Sequence, residues 1–176
     1  MNYIVLDLEA TCSEDKSVEH EIIEIGAVKV NEQGEVVDEF SEFVKPVQNP
    51  KLTDFCKQLT SITQEQVDDA RLFPDVLASF QEWIGMEEYV LCSWGFYDKK
   101  QLIKDCERNS LATKWLNRHI SVKHQYTEMK KLKRVLGVPK ALEREGLTFE
   151  GIHHRGIDDA RNIARIFVRY QDQFQY

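Results

Sequence analysis

Tyr3-Ile4-Val5-Leu6-Asp7-Leu8-Glu9-Ala10-Thr11-Cys12 is an apolar run that closes on two carboxylates at alternate positions. It predicts a buried strand over residues 2–9. A strand sends successive side chains to opposite faces, so Asp7 and Glu9 project from the same side, one pleat apart. Two anions so close repel each other, and an apolar setting raises that cost. A divalent cation between them removes it. The alternative is a frayed strand end with two solvated acids, and the rest of the chain bears on the choice.

Residues 21–30 and 35–45 flank Asn31-Glu32-Gln33-Gly34 in a hairpin pattern, with Gly34 placed for positive φ. Thr63-Gln64-Glu65-Gln66 fits a capping box opening a short helix. Pro74 opens a longer helix whose apolar stripe is Val76, Leu77, Phe80, Trp83 and Ile84. Tyr89–Ser93 reads as a second short buried strand, followed by Trp94-Gly95 and a helix over about 98–108. Residues 120–123 suggest a last strand, and Met129, Leu132 and Leu136 an amphipathic helix ended by Gly137 and Pro139. A final helix, about 158–172, packs Ala160, Ile163, Ala164 and Phe167. An early hairpin followed by alternating helices and strands indicates an α/β protein with a mixed sheet. No repeat, low-complexity tract or Gly/Ser linker interrupts it. Residues 1–176 therefore read as a single domain, long enough to bury a substantial core.

With 42% hydrophobic and 30% charged residues the composition is that of a soluble globular protein. No run reaches the length of a membrane span, and the N-terminus lacks a signal-peptide pattern. Cys12, Cys56, Cys92 and Cys106 show no C-x-x-C spacing, so they read as reduced thiols of a cytoplasmic protein rather than bridges or a zinc site. The net charge of −7 argues against a generic nucleic-acid coat but hides an asymmetry. Residues 1–96 carry 6 basic and 20 acidic side chains, whereas residues 97–134 carry 11 basic and 4 acidic. The basic middle either guides a polyanion toward carboxylate-held metal, or Lys130, Lys131, Lys133 and Arg134 are merely the wet face of a helix.

Three further groups fall where a site should be. Asp98 follows the strand 89–93 at its carboxyl end, where open α/β sheets bind ligands; taken alone it reads first as a helix N-cap, and the two roles are compatible. In His153-His154-Arg155-Gly156-Ile157-Asp158-Asp159-Ala160 the spacing H-x-x-x-x-D occurs twice. Asp158 shares a helix face with Arg161 and Asn162, whereas Asp159 aligns with Ile163 and Ile166, which favours Asp159 as the inward carboxylate. Gly156 is expected to let the chain bend and bring a histidine back over the helix. Four acids and an imidazole suit hard cations such as Mg²⁺ or Mn²⁺. Two such ions can clamp a phosphodiester while histidine deprotonates water.

Asp7-Leu8-Glu9, Asp98 and His154-x4-Asp159 resemble the three motifs of the DEDDh 3′→5′ exonucleases, in order and spacing. The resemblance continues through Glu21–Val28, Leu52–Cys56, Leu59–Thr63 and Gly156–Ile166, which look like the branch of histone-mRNA and small-RNA-trimming exoribonucleases. Ser61 stands where that branch commonly has glycine, and the N-terminal nucleic-acid-binding extension of some animal members is missing from the sequence.

The resemblance implies a ribonuclease H-like fold, with a five-stranded mixed sheet flanked by helices on both faces. It implies that Asp7, Glu9 and Asp159 hold one of two Mg²⁺ (or Mn²⁺) ions, with Asp7 bridging to a second that Asp98 supports, and that His154 is the general base. It places Phe55 and Tyr97 to stack the terminal base, and Leu8, Ala10 and Thr11 to contact the 3′ sugar. For Phe55 a plain packing role stays open. The implied activity is hydrolysis of single-stranded 3′ ends, RNA ahead of DNA, with release of nucleoside 5′-monophosphates. A DNA-directed proofreading or repair exonuclease is the alternative, and a non-catalytic nucleic-acid-binding module a more distant one.

Overall fold

The computed structural model describes residues 1–176. Strand β1 (Asn2–Ala10) alternates Ile4, Leu6 and Leu8 toward one core and Tyr3 and Val5 toward another, because both faces of the sheet are covered by helices. Strands β2 (Ile22–Val30) and β3 (Val36–Lys45) form the expected hairpin, with Gly34 at φ +78° in its turn. Helix α1 (Asp54–Thr60) is capped by Thr53, and α2 (Gln64–Asp68) opens on the capping box of Thr63 and Gln66. Strand β4 (Arg71–Leu72) leads into α3 (Phe73–Ile84), and β5 (Tyr89–Ser93) into α4 (Tyr97–Arg108). Strand β6 (His119–Ser121) runs into α5 (Val122–Met129); α6 (Val138–Arg144) and α7 (Gly156–Phe167) follow.

The sheet order is β4-β3-β2-β1-β5-β6, with β2 antiparallel to both β1 and β3, and β5 and β6 parallel to β1. One core lies under α3 and α4, with Phe40, Phe80 and Trp83 in mutual ring contact. The other lies under α5, α6 and α7, where Phe167 packs on Tyr3 and Phe174. A small third cluster of Ile23, Leu52, Cys56, Ile62 and Val67 seats α1 and α2.

Three expectations need correction. The sheet has six strands rather than five: β4 is two residues long, exposed, and pairs parallel with Val44 and Lys45. No helix runs through Met129, Leu132 and Leu136: α5 ends at Met129, and Lys131 at φ +50° turns the chain out. Gly137 and Pro139 consequently open α6 instead of closing a helix, Gly137 as its extended N-cap and Pro139 in its first turn. Finally, the N-cap of α4 is Phe96, so Asp98 is the second helical residue and not a cap.

Candidate active site

The row of β1 that begins with Tyr3 and Val5 continues into Asp7 and Glu9, so these acids face the side of the sheet that α7 covers. Asp159, in the first turn of α7, meets them there: one carboxylate oxygen from each of Asp7, Glu9 and Asp159 lies within 4.8 Å of the others. Asp98 closes the group from α4, its Oδ1 accepting a 3.1 Å bond from the Leu8 N–H.

Helix α7 is set against β2 by unusually close backbone contact. A Cβ on Gly26 would lie 2.1 Å from the Gly156 carbonyl carbon, so the strand cannot carry a side chain there, and one on Gly156 would meet the Asp7 carbonyl oxygen and Gly26 nitrogen tightly at 3.1 Å. Glu24, fully buried two residues along β2, accepts from the Gly156 N–H at 3.1 Å and from Arg155 Nε at 3.2 Å. Together these contacts fix the first turn of α7 and therefore Asp159, whose Oδ2 accepts from the Arg155 N–H at 3.2 Å. Gly156 is thus needed for closeness rather than for a bend. The left-handed residues here are Gly151, at φ +89°, and His154, at φ +65°.

The two imidazoles stack with centroids 4.0 Å apart. His153 is the one beside the cluster, with Nε2 3.4 Å from Asp159 Oδ1, and Phe149 supports its ring. Burial lowers the pKa of both histidines, and His153 lowers that of His154 further, so each favours the neutral form.

The acids are perturbed the other way. Burial, followed by the charges of Asp98, Glu9 and Asp159, holds Asp7 well above the ordinary carboxylate range. Burial and then Asp159 push Glu9 up to about 9. Burial raises Asp159 to about 7, while Asp98, partly relieved by the Leu8 N–H, rises to about 6. A cluster of acids that cannot all ionise unaided is a cluster built around positive charge. Its donors are all oxygen, which fits a hard divalent cation.

The acids line a cleft of about 390 Å³. Trp94, Phe96 and Tyr97 line it beside Lys123, whose backbone N–H donates to the Trp94 carbonyl at 2.7 Å, together with Val138, Pro139, His153 and His154. Tyr97 is 45% exposed, its hydroxyl 2.7 Å from His20 Nδ1. Phe55 is 38% exposed on α1 and does not line the cleft. Leu8 and Ala10 are buried beside the acids. Thr11 is turned inward: its hydroxyl donates to the Glu19 carbonyl at 2.8 Å and accepts from the Glu21 N–H at 2.9 Å, and its own N–H donates to the Glu21 carbonyl.

Sequence reading passed over Glu24, Phe96 and Lys123. Glu24 had a usable signal, an acid inside the apolar run Ile22-Ile23-Glu24-Ile25. Lys123 had none, because only the fold brings α5 to the cleft.

The model of the Exonuclease family matches residues 4–167. The chain is 37% identical over 181 residues to 3′-5′ exoribonuclease 1 of Homo sapiens, covering 94% of this chain and 51% of that protein. It is 31% identical to the probable 3′-5′ exonuclease KapD of Bacillus subtilis, covering 98% of this chain and 86% of the relative. The chain thus spans about half the length of the exoribonuclease 1 relatives it matches, and most of KapD. Among solved structures it is similar to the nuclease domain of 3′hExo, a DEDDh family member bound to rAMP. The TM-score there is 0.92 at 34% identity, with 99% of this chain and 96% of that chain covered. No helix is long and apolar enough to cross a membrane.

Proposed function

The chain belongs to the Exonuclease family, and from that premise we propose that it is a metal-dependent 3′→5′ exonuclease acting on single-stranded 3′ ends, RNA ahead of DNA. The products are nucleoside 5′-monophosphates. The observation that carries the reading is the convergence of Asp7, Glu9 and Asp159 within 4.8 Å, with Asp98 on the same cleft. RNA is favoured by the exoribonuclease names of the relatives and by the rAMP bound to the 3′hExo nuclease domain.

In this reading Asp7, Glu9 and Asp159 would hold one of two Mg²⁺ or Mn²⁺ ions, and Asp98, with Asp7, would support the other. When bound, the ions supply Lewis acidity to the phosphodiester and neutralise the charge that develops on it. His154, kept neutral by burial, accepts the proton of the attacking water through a ring nitrogen. Tyr97 stacks the terminal base, a contact that tolerates any base because each has a π-face. Phe55 meets that base from α1. The polar groups of Thr11 are spent inside the protein, so Leu8, Ala10 and Thr11 meet the sugar by van der Waals surface. Residues 1–176 act as one exonuclease domain, and the four free thiols suit the reducing cytoplasm.

The test is a gel assay on 5′-labelled single-stranded RNA, its DNA equivalent and a hairpin with a 3′ overhang. Stepwise shortening from the 3′ end that EDTA stops, fastest on RNA, is expected. Asp7→Asn should abolish it while leaving the circular dichroism spectrum intact. Turnover near wild type by Asp7→Asn, or no shortening in Mg²⁺ or Mn²⁺, refutes the reading.

A further inference from the structure

Some basic side chains between residues 97 and 140 are paired, while Lys99, Lys100 and Lys114 outside residues 122–140 and five cations inside that stretch form no ion pair. Lys104 and Arg108 pair with Glu19 and Asp105, Arg118 with Glu88, and Lys130 with Glu145. Lys123, Lys131, Lys133, Arg134 and Lys140 form no ion pair, and Glu128 is the one acid in their stretch, 122–140. These free cations lie on α5, on α6 and on the loop between them, elements that flank the cleft. Lys123 lines it, and the loop carrying Lys131, Lys133 and Arg134 runs directly into the cleft wall at Gly137–Pro139.

That loop is held, not loose. At its start Lys130 Nζ reaches the Tyr170 hydroxyl and lies 3.2 Å from Glu145 Oε1. At its end Trp94 Nε1 donates to the Leu136 carbonyl at 2.9 Å, and Leu132 and Leu136 pack on the core between. Lys131, Lys133 and Arg134 are therefore pushed outward from a fixed backbone. At the inner edge Phe96, 46% exposed, stacks on His124 with centroids 4.9 Å apart and planes inclined 28°. The same ring also meets His119, with centroids 5.9 Å apart, and lines the cleft that Lys123 lines.

Solvated lysines kept for solubility would need neither a pinned loop nor one wall of an acidic cleft, and a chain of net charge −7 has charge enough already. We propose that Lys123, Lys131, Lys133, Arg134 and Lys140, with the Phe96–His124 stack, form a track for the single-stranded nucleic acid 5′ of the nucleotide being removed. Cations spaced along a fixed rim take successive phosphates, and the aromatic face takes a base without regard to its identity. This rests on the exonuclease reading for its polarity, yet it concerns binding and can be measured without hydrolysis.

The experiment measures fluorescence anisotropy of a single-stranded RNA of about twelve nucleotides, and of a dinucleotide, in the Asp7→Asn background. Each neutralised phosphate contributes roughly 0.7 to the slope of log affinity against log salt for single strands. Combining Lys131→Gln, Lys133→Gln and Arg134→Gln should therefore flatten the slope for the long strand by about 2 and weaken its binding about tenfold. The preference for the long strand over the dinucleotide should shrink by a similar factor. Phe96→Ala should cost about tenfold for the long strand, with Phe96→Trp restoring it. An unchanged salt slope, or an unchanged preference for the long strand, overturns the track. Hydrolysis by the unsubstituted chain is scored in parallel. Its absence with the slope change intact removes the enzyme reading and leaves the track standing, while the reverse pattern removes the track alone.

Discussion

Replacing Glu9 by Gln should make the metal-free protein more stable and the metal-loaded one inactive. Glu9 is buried and accepts no hydrogen bond from the protein, while burial and Asp159 push its pKa from 4.5 to about 9. At about pH 8 the unfolded chain carries this group ionised and the folded chain carries it protonated. Holding the proton over that interval costs about 1.4 kcal/mol per pH unit, a ceiling of roughly 5 kcal/mol. Water entry and relaxation of the open cleft reduce this to about 1–3 kcal/mol. A glutamine removes the cost, because it is neutral in both states. For a chain of this size the gain corresponds to a rise of about 3–10 °C in Tm. Thermal unfolding followed by circular dichroism in EDTA and then in millimolar Mg²⁺ reads both halves. The wild type should gain stability from Mg²⁺ by mass action, and Glu9→Gln should gain much less. A variant that melts below the wild type in EDTA, or that Mg²⁺ stabilises equally, would show that the cluster is not strained by its own charge.

The same carboxylates set a pH dependence. Asp98, Asp159 and Glu9 titrate at about 6, 7 and 9 in the folded protein, all above their ordinary values. The folded state therefore binds more protons than the unfolded one, and stability without metal falls as pH rises through about 6, 7 and 9. Urea midpoints in EDTA should decline across that window by the equivalent of about 1–3 kcal/mol, and a flat profile would contradict the assignment. His154→Ala should lower kcat by about 10²–10⁴-fold, the range for loss of a general base. His153→Ala, which gives up the 3.4 Å contact with Asp159 and the stacking on His154, should cost about tenfold or less in single-turnover hydrolysis. The opposite ranking would move the base to His153. Gly26→Ala places a Cβ 2.1 Å from Gly156 and should lower stability by about 3 kcal/mol or more, read as a drop of about 6 °C or more in Tm. A melting point unchanged within about a degree would mean that strand and helix can part at little cost.

Much of the site was legible because it depends on local periodicity. Alternation along β1 puts Asp7 and Glu9 on one face, and helical phase separates Asp159 from Asp158, which instead accepts from Arg161 and the Ile152 N–H. What failed depended on backbone conformations that side-chain patterns do not reveal. Met129, Leu132 and Leu136 have helical spacing, yet Lys131 is left-handed, and Met129 reaches the core from the end of α5 while Leu132 and Leu136 reach it from the loop. Strand β4 is too short to show alternation and exists only because β3 runs beside it. The glycine in His154-Arg155-Gly156 was visible, but its reason lay in Gly26, 130 residues earlier. Glu24, Lys123 and Phe96 needed the assembled sheet to reveal their company.

The contact between Gly26 and Gly156 also separates two properties of the molecule. The spacing of the carboxylates is set by the thickness of two bare backbones, a dimension that side-chain repacking elsewhere cannot alter. The charged wall hangs from different anchors, Trp94 at one end and Glu145 with Tyr170 at the other. Chemistry and choice of strand therefore sit on independent mounts. Between Lys130 and Gly137 the exposed Lys131, Lys133, Arg134 and Val135 can be exchanged while Leu132 and Leu136 keep the loop on the core, whereas Gly26 leaves the reacting centre almost no room to drift.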